Sequence, residues 1–114
     1  MTEEPKIFDT IREMVTEHDV VLFMKGSHKL PQCGFSATVV AVLQRMGVEF
    51  HDVNVLLDME IRQGIKDFSD WPTIPQLYVK GEFVGGCDIV RDMYEEGELE
   101  GFFKAKGISA QAAA

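Results

Sequence analysis

The sequence predicts an α/β fold, in which a small mixed four-stranded sheet is flanked by helices. Two observations support this prediction. Short apolar runs alternate with amphipathic helical patterns along the chain, which is typical of α/β domains. The last two apolar runs flank a glycine, as the strands of a β-hairpin do, so part of the sheet is antiparallel. A chain of 114 residues suits one such domain and leaves little room for a second.

The first half of the chain is predicted to fold as helix, strand, helix, strand. An apolar stripe indicates a helix over residues 4–17, and the run Val20–Met24 indicates a buried strand. A second helix is predicted over 34–46, and residues 49–55 alternate as a strand does. Because a helix joins these two strands, we expect them to be parallel with a right-handed crossover.

The second half completes the sheet and covers it. Apolar spacing and glycine positions give the remaining elements: a helix over 58–68, hairpin strands over 76–80 and 82–85 around Gly81, and closing helices over 88–96 and 98–106. We therefore predict a single domain over residues 1–107. Residues 108–114 are rich in alanine and are expected to form a flexible C-terminal tail.

Composition excludes several classes of protein. The net charge of −8 argues against a general nucleic-acid binder. No apolar run approaches the roughly 18 residues of a membrane helix, and the acidic N-terminal segment lacks the apolar region of a secretory signal. Two cysteines cannot form a disulfide framework, which favours a reducing compartment. The sequence therefore predicts a cytoplasmic protein with no membrane or nucleic-acid partner.

The charge is unevenly distributed around one cysteine. Residues 20–48 contain no Asp or Glu, although they include Lys25, Lys29, Arg45 and Cys33. Positive surroundings lower the pKa of a thiol and so favour the reactive thiolate. The alternative, that Cys33 is merely a small buried apolar residue, is the commoner situation for a single cysteine. Its position in a loop at the start of a predicted helix favours the reactive interpretation.

The residues that follow Cys33 indicate redox chemistry with an external partner. Cys33-Gly34-Phe35-Ser36 has the spacing of a Cys-x-x-Cys motif, with a serine in the second place. A hydroxyl cannot resolve a mixed disulfide, so an oxidised Cys33 needs Cys87 or an external thiol. Glutathione is the natural external thiol of the cytosol.

Four motifs in order make the chain similar to a known family. They are Met24-Lys25-Gly26, Pro31-x-Cys33-Gly34-Phe35-Ser36, Trp71-Pro72-Thr73-Ile74-Pro75-Gln76 and Gly85-Gly86-Cys87-Asp88. With them the chain resembles a monothiol glutaredoxin of the Cys-Gly-Phe-Ser class, from about residue 5 to 107. One departure is Ser27-His28, which stands where the family often has Thr-Pro.

The resemblance implies a thioredoxin fold and a glutathione groove beside Cys33. Lys25 and Arg62 are suited to bind the glycine carboxylate of glutathione. The alternative for Arg62 is a surface ion pair with Asp58 or Glu60. Ile74 precedes a proline and is held extended, so its backbone is available to pair with a peptide. The family implies that the Ile74–Pro75 bond is cis.

The resemblance also assigns roles at the start of the closing helices. It implies that the backbone N–H groups of Cys87 and Asp88 bind the γ-glutamyl carboxylate, and that the Asp88 carboxylate binds the glutathione ammonium. Asp88 is also a candidate N-cap. Cys87 is either a small residue near the site, which we favour, or a slow resolving thiol.

Two functions remain after these observations. A [2Fe–2S] cluster is usually held by four thiolates, so one Cys33 per chain requires a homodimer and two glutathiones. The resemblance implies such a cluster, its transfer to apo iron–sulfur proteins, and a BolA-like protein as an alternative partner. The second function is a glutathione-dependent thiol–disulfide oxidoreductase. We favour the cluster carrier and expect at most weak oxidoreductase activity, because the motif lacks a resolving cysteine. A third possibility is an inert domain with a decayed redox motif.

Overall fold

A computed structural model describes residues 3–111 as alternating helices and strands. In chain order the elements are α1 (Ile7–Glu17), β1 (Val20–Met24), α2 (Gly34–Arg45), β2 (His51–Asn54), a 3₁₀ turn (Val55–Leu57), α3 (Met59–Ser69), β3 (Gln76–Val79), β4 (Glu82–Gly85), α4 (Cys87–Glu95) and α5 (Leu99–Ala105).

The strands form the predicted mixed sheet in the order β2-β1-β3-β4. β1 and β2 are parallel, while β3 runs antiparallel to both β1 and β4. β1 and β2 therefore end at the same edge of the sheet. β3 begins at this edge, since Gln76 pairs with Phe23, and β4 ends there, since Gly85 pairs with Leu77. Four connections consequently meet at one end of the domain.

Side chains of β1 divide the core into two layers, because alternate residues of a strand face opposite sides of a sheet. Leu22 and Met24 pack toward α2, α4 and α5, whereas Val21 and Phe23 pack toward α1 and α3. All four side chains are fully buried. The continuous apolar run that predicted a buried strand reflects this cover of helices on both faces.

Two elements, α1 and β2, are each three residues shorter than the sequence predicts. α1 begins at Ile7 rather than residue 4, because the carbonyl of Pro5 accepts the N–H of Phe8 in a turn. β2 ends at Asn54, whose side-chain oxygen accepts the N–H of Leu56 and starts the 3₁₀ turn. The predicted strand included Val55 because this residue is apolar, but its backbone already belongs to the 3₁₀ turn.

Residues 108–111, the first four of the segment predicted to be a flexible tail, make contacts with the domain. Ala110 is buried against the core, and the N–H of Gln111 donates to the carbonyl of Met46 at 2.9 Å. These contacts attach the segment to the end of α2. The rest of the predicted tail, residues 112–114, lies outside the described residues. Among residues 3–111, no helix is both long enough and apolar enough to cross a membrane.

Candidate functional site

A groove of about 430 Å³ opens at the end of the sheet where the four connections meet. Its size falls within the range of small-molecule sites. Its lining residues are Lys25, Cys33, Phe35, Lys66, Trp71, Pro72, Thr73, Ile74, Pro75, Gly86, Cys87, Asp88 and Ile89. Five of the six residues predicted from the sequence are therefore brought together here: Lys25, Cys33, Ile74, Cys87 and Asp88.

Cys33 is the N-cap residue of α2, with an extended backbone and a half-buried side chain. The backbone N–H of Ser36 is the main cause that lowers the pKa of the Cys33 thiol. Burial opposes this effect, whereas the N–H of Phe35 and the charge of Lys25 add to it. The helix N-terminus thus favours the thiolate, the form that acts as nucleophile and metal ligand.

Ser36 occupies the second position of the motif, and a hydrogen bond from its side chain helps to lower the pKa of the Cys33 thiol. Its side chain is fully buried, and its hydroxyl oxygen accepts the backbone N–H of Lys25 at 3.1 Å. This bond joins the first turn of α2 to the end of β1. Ser36 therefore holds Lys25 beside Cys33 and is no substitute for a resolving thiol.

The loop between β1 and α2 is tied to neighbouring backbone at both ends. The N–H of Gln32 donates to the carbonyl of Lys25 at 2.8 Å, which closes the loop just before Cys33. Gly26 has a positive φ of 91°, and a Cβ there would lie 2.5 Å from the carbonyl oxygen of Leu30. Only glycine fits this turn. His28, where the family often has proline, is half-buried in the same loop.

The opposite wall of the groove is built on the segment before β3. The Ile74–Pro75 bond is cis, as the resemblance implies, and Ile74 is buried. The fully buried Gln76 donates from Nε2 to the carbonyls of Trp71 and Thr73, at 3.1 and 3.0 Å. These two bonds fix the shape of the segment that faces Cys33.

α4 approaches this wall closely through Gly86. A Cβ on Gly86 would lie 3.1 Å from the carbonyl oxygen of Pro75 and 3.6 Å from Nε1 of Trp71. The small residue therefore allows α4 to begin against the Pro75 segment. Trp71 is 37% exposed, and its ring packs against Phe83 with the centroids 5.8 Å apart. The indole is thus both packed against Phe83 and part of the groove wall.

The start of α4 corrects one prediction. The N-cap is Gly86 rather than Asp88, which lies one residue inside α4, after Cys87. The Asp88 carboxylate instead pairs with Arg91 at 3.2 Å across one helical turn. Cys87 is 8% exposed, and burial raises the pKa of its thiol. Asp88 remains exposed at the rim of the groove.

α3 carries two cations near the groove, and the role predicted for Arg62 stays a prediction. The groove is lined by Lys66, whereas Arg62, one turn earlier on the same helix, is not among the lining residues. Asp58, considered as an ion-pair partner of Arg62, instead caps α3 by accepting the N–H of Glu60 at 2.9 Å. The i, i+4 spacing of the two cations was a signal that could have identified Lys66.

Comparisons with known proteins agree with this geometry. The glutaredoxin family profile matches residues 20–84. A probable monothiol glutaredoxin 2 of Rickettsia conorii is 59% identical over 90% of this chain and 95% of its own length. The chloroplastic monothiol glutaredoxin-S14 of Arabidopsis thaliana is 51% identical over 84% of this chain and 56% of its own length.

Solved structures give the same result for the fold. A monomeric truncated mutant of Trypanosoma brucei 1-C-Grx1 matches 94% of this chain and 97% of its own, with a TM-score of 0.83 and 39% identity. Reduced apo GrxS14 of poplar matches 88% of this chain and 92% of its own, with a TM-score of 0.77 and 49% identity. These glutaredoxins have the thioredoxin fold that the resemblance implied. The chain therefore belongs to the glutaredoxin family, as a monothiol member with Cys33-Gly34-Phe35-Ser36 at the start of α2.

Proposed function

We propose that this monothiol glutaredoxin binds a [2Fe–2S] cluster between two subunits, together with two glutathiones, and acts in iron–sulfur cluster assembly and transfer. The observation that carries the proposal is the contrast within the motif. The pKa of the Cys33 thiol is lowered, which favours the thiolate, whereas Ser36 is fully buried and its hydroxyl oxygen accepts the backbone N–H of Lys25. The site is suited to ligation by one thiolate and poorly suited to dithiol exchange.

The count of thiolates gives the stoichiometry. A [2Fe–2S] cluster is commonly held by four thiolates. The chain has two cysteines, and burial favours the neutral thiol at Cys87. Within residues 3–111 no three His, Cys, Asp or Glu side chains form a group able to hold a metal. Two copies of Cys33 and two glutathione thiolates complete the set, which makes the cluster-bound form a homodimer.

The groove has the charges that glutathione requires at its glycine end. Lys25 and Lys66 line it and can bind the glycine carboxylate, and we retain Arg62 as a further cation one turn away. In the proposal, the backbone of Ile74 pairs with the peptide as an added strand would. This segment and Cys33 line the same groove, so the pairing would place the glutathione sulfur in the groove that contains Cys33.

The γ-glutamyl end is assigned to the start of α4. Backbone N–H groups at a helix N-terminus bind anions, which suits those of Cys87 and Asp88 to the carboxylate. The exposed Asp88 carboxylate is suited to the ammonium group and would exchange its present partner Arg91 for it. Glutathione thus spans the groove from the two lysines to α4.

The proposed partners follow from a transferable cluster. Apo iron–sulfur proteins would receive iron and sulfide from the cluster-bound dimer, and a BolA-like protein would replace one subunit. The negative net charge argues against a nucleic-acid partner. We propose a cytoplasmic location and no membrane partner, which cell fractionation with a tagged chain tests; the Arabidopsis relative is named as chloroplastic.

Anaerobic reconstitution tests the cluster function. The protein is incubated with iron, sulfide and glutathione, and its visible spectrum and mass in solution are recorded. We expect charge-transfer bands on a dimer, lost in Cys33→Ser and in samples without glutathione. The matched control is Cys87→Ser, which removes the other cysteine of the groove and should keep the bands. Bands that persist in Cys33→Ser would refute the proposal.

The lowered pKa of Cys33 also favours a second function, the glutathione-dependent reduction of mixed disulfides. The Cys33 thiolate would attack the glutathione sulfur, forming a Cys33–glutathione disulfide and releasing the protein thiolate. A second glutathione thiolate would then attack that disulfide, releasing oxidised glutathione and regenerating Cys33. An assay coupled to glutathione reductase tests this function. A rate equal to that of a dithiol glutaredoxin would make it the principal one.

A further inference from the structure

Two polar side chains of β2 lie on the face of the sheet that carries the buried Leu22 and Met24. Asp52 and Asn54 stand opposite Leu22 and Met24 of β1, and alternate residues of a strand share a face. Both polar side chains are half-buried. Half-buried polar groups require partners, and these two find theirs in the loop between β1 and α2.

The contacts are direct and short. The Asp52 carboxylate accepts the backbone N–H of His28 at 2.8 Å and lies 3.1 Å from its imidazole Nδ1. The side-chain oxygen of Asn54 accepts the N–H of Gly26 and that of Leu56, both at 3.0 Å. Burial raises the pKa of the Asp52 carboxyl, but the contacts with His28 outweigh it and lower the pKa overall.

The loop transmits these contacts to Cys33. Gly26 pairs with Pro31 in an isolated antiparallel bridge, so the segment between them is a closed turn. After this turn, the N–H of Gln32 returns to the carbonyl of Lys25 at 2.8 Å, and the next residue is Cys33. Because its hydrogen bonds to β2 hold this turn in place, the turn also determines where α2 begins and where the thiol of its N-cap residue lies.

We propose that Asp52 and Asn54 are positioning residues for Cys33, acting through the Gly26–Pro31 turn, with His28 as the partner of Asp52. Neither side chain lines the groove. The inference goes beyond the proposed function, because it concerns the place and reactivity of the thiol whether the thiol binds a cluster or reduces a disulfide.

Asp52 is the better residue to test, since Asn54 also supports the 3₁₀ turn. Asp52→Ala removes both contacts with His28, whereas Asp52→Asn keeps an acceptor for its backbone N–H. In Asp52→Ala we expect amide hydrogen exchange, measured by NMR, to be about five-fold faster at His28 and Gln32. We also expect alkylation of Cys33 by iodoacetamide at neutral pH to be about three-fold slower, because the displaced thiolate loses its stabilising N–H groups.

The rescue variant and two further variants separate positioning from general destabilisation. Asp52→Asn should recover most of both effects. The control is His51→Ala, the preceding residue of β2, whose exposed ring stacks on His18 away from the loop; it should match wild type. His28→Ala keeps the backbone bond and should show a smaller change in the same direction, which carries the test if Asp52→Ala does not fold.

Specific outcomes would overturn the proposal. Mass spectrometry of the peptide that contains Cys33 follows its alkylation without interference from Cys87. A Cys33 rate in Asp52→Ala at or above wild type would refute the positioning role, even with faster exchange in the turn, as would Asp52→Asn behaving like Asp52→Ala. Loss of the cluster function alone would leave these rates unchanged, so the two proposals fail separately.

Discussion

The two cysteines of this glutaredoxin stand at the N-termini of two helices and line the same groove, yet their thiols differ. The pKa of Cys33 is lowered chiefly by the backbone N–H of Ser36, and that of Cys87 is raised chiefly by burial. Cys33 is the N-cap of α2, whereas Cys87 is the first residue inside α4. A helix N-terminus therefore activates a thiol only where the free N–H groups face the sulfur and the sulfur is accessible.

The largest expected effect is a difference in reactivity between the two thiols. At neutral pH we expect iodoacetamide to alkylate Cys33 about a hundred-fold faster than Cys87, because Cys33 has more thiolate and more exposure. Mass spectrometry of the two cysteine peptides over time measures both rates. In denaturant the two rates should converge, and similar rates in the folded protein would contradict the comparison.

The Ser36 hydroxyl joins the start of α2 to the end of β1 beside Cys33, so removing it should lower the stability of the fold. Ser36→Ala leaves the partly buried N–H of Lys25 without its acceptor, which should lower the free energy of unfolding by about 1–3 kcal/mol. Urea denaturation measures this change. Thr16→Ala is the matched control, since its hydroxyl donates to the carbonyl of Arg12 at 2.8 Å at an exposed position of α1. Equal losses in both variants would argue against a special role for Ser36.

The sequence was sufficient for the fold because apolar spacing reports which faces are buried. The continuous run of β1 and the stripe of α1 identified a sheet covered on both sides. The site was predicted less completely. Motifs identified Cys33 and Ile74, but they could not show which of Arg62 and Lys66 lines the groove. The two residues share a face of α3, so the choice depends on which turn of the helix lies beside the groove. Asp88 resembles an N-cap in sequence, yet α4 begins at Cys87, and its N-cap is Gly86, two residues before Asp88.

The two cations of α3 are expected to differ in how much each contributes to glutathione binding. Lys66→Gln should weaken glutathione binding about five-fold, since it removes a cation from the groove, while Arg62→Gln should change it less than two-fold. Isothermal titration with reduced glutathione gives both affinities. The reverse order would show that the groove closes on its ligand toward Arg62, and it would restore the assignment made from the sequence.

The smallest expected effect is the pH dependence of stability, where the two cysteines should act in opposite directions. The lowered pKa of Cys33 stabilises the fold fully above the ordinary thiol pKa, and this contribution is lost as pH falls through the folded pKa. The raised pKa of Cys87 stabilises the fold fully below the ordinary value, and this contribution is lost as pH rises through the folded pKa.

Urea denaturation of Cys33→Ser and Cys87→Ser, from about pH 7 to about pH 10, separates these contributions because the series spans the ordinary thiol pKa. Relative to wild type, the deficit of Cys33→Ser should grow as pH rises, whereas that of Cys87→Ser should shrink. Both slopes come from one fold and from sulfurs at the same groove, so differences in core packing between the variants change the offset and not the sign. Slopes of the same sign would mean that one shared electrostatic field shifts the pKa of both thiols in the same direction. The position of each sulfur at its helix end would then not explain the difference between the two cysteines.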